Sequence, residues 1–156
     1  MTLSQGTING GRHQAAPITP EAALEEFYAA FNGRNIELMA QNWSDGPEAS
    51  MSNPLGGIRR GWDEIKAGYH RLFTGPARVY VEFHDYSLHE AGDLFYAVGR
   101  ERGEFRLGET RMELAIRTSR IYQRHNGRWR QVHHHGSIDD PVQLARYQTV
   151  VLHAKS

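Results

Sequence analysis

The 156-residue sequence predicts an α+β fold with helices and strands segregated along the chain, and three observations carry that expectation. Apolar residues recur at helical spacing through the first half. From Val79 onward the period changes to two. Asn126-Gly127 then supplies the strongest short hairpin signal between the last two strands. A sheet with one apolar face must bury it, and the leading helices are the available cover. Long twisted strands curl around such helices and leave a hollow at the open end. The architecture therefore predicts a pocket before any functional residue is named.

The first helix opens at "ITPEAALEEFYAAF". Thr19 is a good N-cap, Pro20 suits the first helical position, and Glu21 complements the helix dipole. Leu24, Phe27, Tyr28 and Phe31 form one face, and "NGRN" breaks the helix. A shorter helix is expected from Ile36 to about Trp43, then a turn, a short strand and a second turn in "SDGPEASMSNPLGG". "RRGWDEIKAGYHRLF" restores the helical period through Trp62, Ile65, Tyr69, Leu72 and Phe73. Four strands follow: one around Val79, Val81 and Phe83; "LFYAVGRERGEF"; "RMELAIRTSRIYQR"; and "WRQVHHHGS". "DDPVQLARYQTVV" closes the chain as a C-terminal helix capped by Asp139 or Asp140.

Lysine plus arginine and aspartate plus glutamate both total 18, so the net charge is zero with histidine neutral. That balance makes no case for nucleic acid or an anionic membrane surface as partner. The absence of cysteine excludes disulfides, thiolate zinc sites and thiol nucleophiles, and fits a cytoplasmic location. No apolar run approaches the length of a membrane span. Residues 1–17 are polar and glycine-rich, lack the apolar stretch of a secretory signal, and read as a flexible tail. Residues 18–156 read as one domain.

Three consecutive histidines in "WRQVHHHGSIDDP" pose the main chemical question. On a regular strand His133 and His135 share one face with Trp129 and Gln131, and His134 takes the other with Val132. Two histidines at i and i+2 suit a transition metal, but a site needs three or four ligands, and no carboxylate stands at a recognisable ligand spacing. No metal is expected. Histidine titrates near neutrality, which suits His133 or His135 to acid–base work. The alternative is structural: rings satisfied at a subunit contact or on a pocket wall. Trp43, Trp62, Tyr69, Phe95 and Tyr122 either line an apolar site or form ordinary core. No Walker loop, dinucleotide fingerprint or nucleophile elbow is present, and no cofactor is expected.

The order and spacing of "LEEFYAAFNGRNIELMAQNW", "NPLGG", "GWDEIKAGYHRLF" and "TSRIYQRHNGRWRQVHHHGS" resemble the nuclear transport factor 2-like superfamily. More narrowly, they resemble its SnoaL-like and ketosteroid-isomerase-like branch. The hairpin over residues 118–137 is also similar to the association domain of calcium/calmodulin-dependent protein kinase II. The resemblance covers residues 18–137. It implies a cone-shaped, cystatin-like curved antiparallel sheet wrapped around the N-terminal helices, a deep apolar pocket and a homodimer. Fold membership does not supply function.

The resemblance also assigns roles by position. Ketosteroid isomerases use a carboxylate base, a tyrosine and a protonated aspartic acid. The matching positions here are Asn53, Phe27 and Ser119 or Arg120, so that catalytic set is not matched; Tyr28 lies one residue from the tyrosine position. The association domain implies pocket arginines that hold a carboxylate. Arg120 matches one, Arg102 matches a second loosely, and Gly136 replaces a third. Arg120 either serves a ligand or pairs with an internal acid such as Glu82, Glu101 or Glu113.

The expected protein is a SnoaL-like homodimer binding a small organic ligand. If it is an enzyme, it is a cofactor-independent isomerase, cyclase or dehydratase. His133 or His135 would move the proton, Arg120 would hold an anionic group, and Asn53 or Tyr28 would donate a hydrogen bond. Trp62, Tyr69, Arg102 and Tyr122 would surround the ligand. The alternative is a non-catalytic binding or oligomerisation module. An enzyme needs a titratable group on the pocket wall with space beside it; an assembly module needs only a filled core and histidines at a contact.

Overall fold

In a computed structural model, which describes residues 2–4, 6–14 and 17–153, seven strands form one sheet. They are β1 (Thr2–Ser4), β2 (Ser50–Ser52), β3 (Arg59–Arg60), β4 (Arg78–Ala91), β5 (Leu94–Leu107), β6 (Thr110–His125) and β7 (Arg128–Ser137). Their spatial order is β1-β4-β5-β6-β7-β2-β3. The four long strands form an antiparallel meander, and β2 joins β7 in parallel. Asn126 and Gly127 have φ of 52° and 75°, the positive pair that matches a tight turn to the twist of β6 and β7. The expected α+β architecture is observed, with two short strands, β1 and β3, added to it.

Helices α1 (Pro20–Asn32), α2 (Ile36–Asn42) and α3 (Trp62–Thr74) cover one face of this sheet. The Thr19 hydroxyl accepts from the Ala22 amide and Pro20 occupies the first turn, so α1 starts where its capping residues dictate. Leu24, Phe27 and Tyr28 of α1 and Ile65, Tyr69 and Phe73 of α3 are buried against Val81, Phe83, Phe95 and Tyr122 of the sheet. Each such side chain contributes roughly 1.5–3 kcal/mol of burial, which the intrinsic propensity of a 13-residue helix does not approach. The fourth helix, α4 (Pro141–His153), begins where the Asp140 carboxylate accepts from the Val142 amide.

Two bulges curl the meander. In β4 the register shifts between His84 and Ser87, with Asp85 at φ 49°. Opposite stands Gly99, where an added Cβ would fall 2.7 Å from the Tyr86 Cβ. In β7 the register shifts by one residue opposite Ile121 and Tyr122, leaving Val132 as the extra residue. An extra residue bends its strand and reverses the inward–outward alternation beyond it.

The segment expected to be a loose tail contributes to this frame. Thr2–Ser4 pairs with β4, and Ile8 bridges Phe83 and is 3% exposed. Gly10 explains the close approach: its φ is 91°, and a Cβ there would meet the Ala29 backbone nitrogen at 2.3 Å. Its amide donates to the buried Glu25 carboxylate at 2.8 Å. A glycine-rich composition looks like looseness in sequence, whereas here the glycine permits contact. The remaining positions, 1, 5, 15, 16 and 154–156, lie outside the described residues. Among the described residues no helix is long and apolar enough to cross a membrane.

Candidate functional site

A cavity of about 580 Å³ opens between α1, α3, α4 and the inner face of β5, β6 and β7. Phe27, Phe31, Tyr69, Leu72, Ile116, Tyr147 and Val151 supply most of its apolar wall. Glu101, Arg120 and His134 interrupt that wall with polar groups, each 2–6% exposed. Strand alternation brings them there. Odd positions of β5 and even positions of β6 point inward, so Phe95, Ala97, Gly99 and Glu101 lie beside Met112, Leu114, Ile116, Thr118 and Arg120 on the one inner face of the sheet.

Arg120 is the centre of a buried hydrogen-bond chain. Its Nη2 donates to Glu101 Oε2 at 2.8 Å, and its Nη1 donates to Gln131 Oε1 at 2.8 Å. Tyr28 donates its hydroxyl to the same Glu101 oxygen at 2.6 Å. Gln131 Nε2 donates to Asn42 Oδ1 at 3.2 Å, and Tyr122 donates to that oxygen at 2.8 Å. Asn42 in turn donates to Glu26, whose carboxylate holds Arg128. The guanidinium carbon lies 3.6 Å from the Phe27 ring centroid. Burial opposes the arginine charge, but Tyr28 and Glu101 beside it raise the Arg120 pKa above its ordinary value. The Arg120–Glu101 pair is thus a desolvated charge pair with its donors and acceptors largely satisfied. Among the described residues Glu101 Oε1 carries no hydrogen bond.

His134 supplies the titratable group. Its Nδ1 lies 3.3 Å from the Ser119 carbonyl oxygen. A carbonyl only accepts, so Nδ1 carries the proton and Nε2 carries the lone pair. Burial, and after it the Arg120 charge, pushes the His134 pKa well below the ordinary histidine value. The ring on the cavity wall is therefore neutral, with its lone pair on Nε2. Burial also pushes the Tyr69 hydroxyl up to about 12, which keeps it protonated and able to donate. Among the described residues no group of three metal-ligating side chains comes together.

The residues singled out from sequence separate into three sets. Arg120, Tyr69 and Asn53 line the cavity, though Asn53 Oδ1 is engaged by the Leu55 amide. Tyr28 and Tyr122 are buried behind the wall, tied to Glu101 and Asn42. Trp62 is half-buried and off the cavity wall, and Arg102 is exposed on the outer face of β5. His133 and His135 also lie outside: His133 Nδ1 is 2.7 Å from the Ser50 hydroxyl, and His135 is exposed. The expectation that Trp129 and Gln131 share a face with His133 and His135 is corrected by the bulge at Val132. Trp129 and Gln131 point inward, and beyond the extra residue the inward position passes to His134. Nothing in the sequence marks that bulge. Glu101 and Arg102 were separable by alternation, since Phe95, Ala97 and Glu101 share a parity that Arg102 does not.

A family model described as the SnoaL-like domain matches residues 21–141. No curated protein matches the chain. Among solved structures, a Thiobacillus denitrificans protein, provisionally described as a calcium/calmodulin-dependent protein kinase type II association domain, is similar to this chain. It is 27% identical with a TM-score of 0.66, over 81% of this chain and 100% of that one. A provisional dehydratase of the NTF2-like family from Streptomyces avermitilis is 17% identical with a TM-score of 0.68, over 74% of this chain and 90% of its own. The CamKII hub homology domain of Chlamydomonas reinhardtii is 19% identical with a TM-score of 0.62, over 76% and 95%. The last two share the fold.

Proposed function

The chain belongs to the SnoaL-like domain family, and we propose that it binds a small, largely apolar organic molecule in its cavity and transfers a proton on it without a cofactor. The observation that carries this reading is a neutral histidine, His134, on the wall of an open 580 Å³ space. Isomerisation, cyclisation and dehydration each begin by moving a proton. His134 Nε2 is the acceptor in this scheme. Negative charge that develops on the substrate is stabilised by donors already fixed in place, the remaining N–H groups of Arg120 and the Tyr69 hydroxyl. Arg120 and Tyr28 were candidates for direct ligand contact. In the present scheme Tyr28 positions Glu101, and Arg120 serves Glu101 before any ligand.

The test uses 5-nitrobenzisoxazole, whose ring opens when a base removes its single C–H proton and the N–O bond breaks. The expected result is a saturable rate above buffer that His134→Gln abolishes and His135→Gln leaves intact. A rate indifferent to His134→Gln, or no rate at all, overturns the proton-transfer reading.

A second copy of the chain is the proposed macromolecular partner. Leu94, Tyr96 and Val98 on the outer face of β5 are 39%, 38% and 43% exposed, an apolar strip of the kind that self-association covers. The likeness to the Thiobacillus protein favours a non-catalytic assembly module as the second reading. A ligand-free assembly has no need of the open cavity, so binding of any apolar probe there separates the two.

A further inference from the structure

We infer that the ligand is an amphipathic carboxylate bound with its anionic end at the cavity rim, beside Arg59, and its apolar body inward; this rests on the cavity being the binding site. The inner end is unsuited to a second anion. The Arg120 charge is already matched by Glu101 at 2.8 Å, and two acceptors without a donor, Glu101 Oε1 and the unprotonated His134 nitrogen, stand on the same wall as its remaining N–H groups. A ligand carboxylate there would meet a carboxylate across a low-dielectric interior.

The rim has the opposite character. Arg59 is half-buried and lines the cavity mouth with Arg71. Its Nη1 donates to the Glu64 backbone carbonyl at 3.1 Å, which fixes the side chain without neutralising it. Among the described residues neither Arg59 nor Arg71 has a carboxylate within ion-pair distance. The Glu64 carboxylate is taken instead by the Arg60 amide at 2.7 Å. Gly68 explains how Arg59 reaches this place. A glycine inside a helix costs about 1 kcal/mol relative to alanine. Here a Cβ would meet the Arg59 Nε at 3.0 Å and Cζ at 3.2 Å, so the missing side chain lets the guanidinium pack closely against α3. A guanidinium fork held in this way, with no internal acid, matches a carboxylate. Between rim and inner end the wall is apolar through Phe31, Leu72 and Val151.

Isothermal titration with three eight-carbon probes tests the inference: octanoate, 1-octanol and octyltrimethylammonium. The wild-type protein is expected to bind octanoate more tightly than octanol and the cation least. Arg59→Gln should weaken octanoate about tenfold, a loss of about 1.4 kcal/mol, and leave octanol unchanged. Arg59→Lys keeps the charge but loses the fork and should recover only part of the octanoate affinity, and thermal unfolding of both variants checks that the fold persists. Octanol binding as tightly as octanoate, or an octanoate affinity indifferent to Arg59→Gln, overturns the rim assignment and leaves the cavity reading standing. Failure of all three probes to bind overturns both.

Discussion

Arg120 and Arg117 lie three residues apart on β6 and pair with acids on opposite faces of the sheet. Inside, Arg120 meets Glu101 at 2.8 Å with side chains 2% and 7% exposed. Outside, Arg117 meets Asp139 with side chains 59% and 55% exposed. The histidines divide the same way: His134 is buried beside the cavity, whereas His133 and His135 face out. The contrast teaches that residue type does not decide role on this sheet. Water screens the outer pair and lets either member be lost cheaply. Desolvation makes each inner group depend on its partner, and gives the inner histidine its altered basicity.

Neutralising one acid on each face should have very different costs. Glu101→Gln leaves the Arg120 guanidinium buried without its counter-charge, and should cost about 3–5 kcal/mol in urea unfolding. Asp139→Asn should cost at most about 1 kcal/mol. Equal losses would erase the distinction. Replacing the inner pair together, Glu101→Leu with Arg120→Met, should recover about 2 kcal/mol relative to the sum of the single losses, because no orphaned charge remains. Additive losses in that double-mutant cycle would mean that the two groups act independently.

The inner histidine should also set the response to acid. His134 has its folded pKa depressed below the unfolded value near 6.5, so the unfolded chain takes up a proton first as pH falls. Its neutral form is fully tolerated above pH 6.5, and stability declines below that, by up to about 1.4 kcal/mol per pH unit from this group. His133 is depressed in the same direction by burial and then by His135, and adds to the slope. His134→Asn should flatten the decline. An unchanged slope would contradict the assignment. The smallest effect is expected from His135→Ala on the exposed face, within about 0.5 kcal/mol of wild type in the same assay.

Most of the fold was legible in the sequence because its signals are local. Thr19-Pro20 starts α1, Asn126-Gly127 closes the last hairpin, and the change of period at Val79 marks the first long strand. The site was legible only in part. Arg120 and Glu101 were both named, as a cation and as one of its three possible acids. Which histidine faces inward was not legible, since parity counted from Trp129 is reversed by the bulge at Val132 and brings His134 to the cavity wall. That bulge is fixed by pairing with β6, a contact that no local pattern records. The contacts of the N-terminal segment were hidden for a related reason: Gly10 matters through its approach to Ala29, on a helix about 20 residues away.

Nitrogen-15 NMR of the histidine rings during an octanoate titration tests the two-faced account most directly. His134 should exist as a single neutral tautomer protonated at Nδ1. Its Nε2 resonance should move as octanoate binds, while the ring signals of His133 and His135 hold still. A stationary His134 with moving signals from His133 or His135 would put the working site on the other face of the sheet and contradict the account.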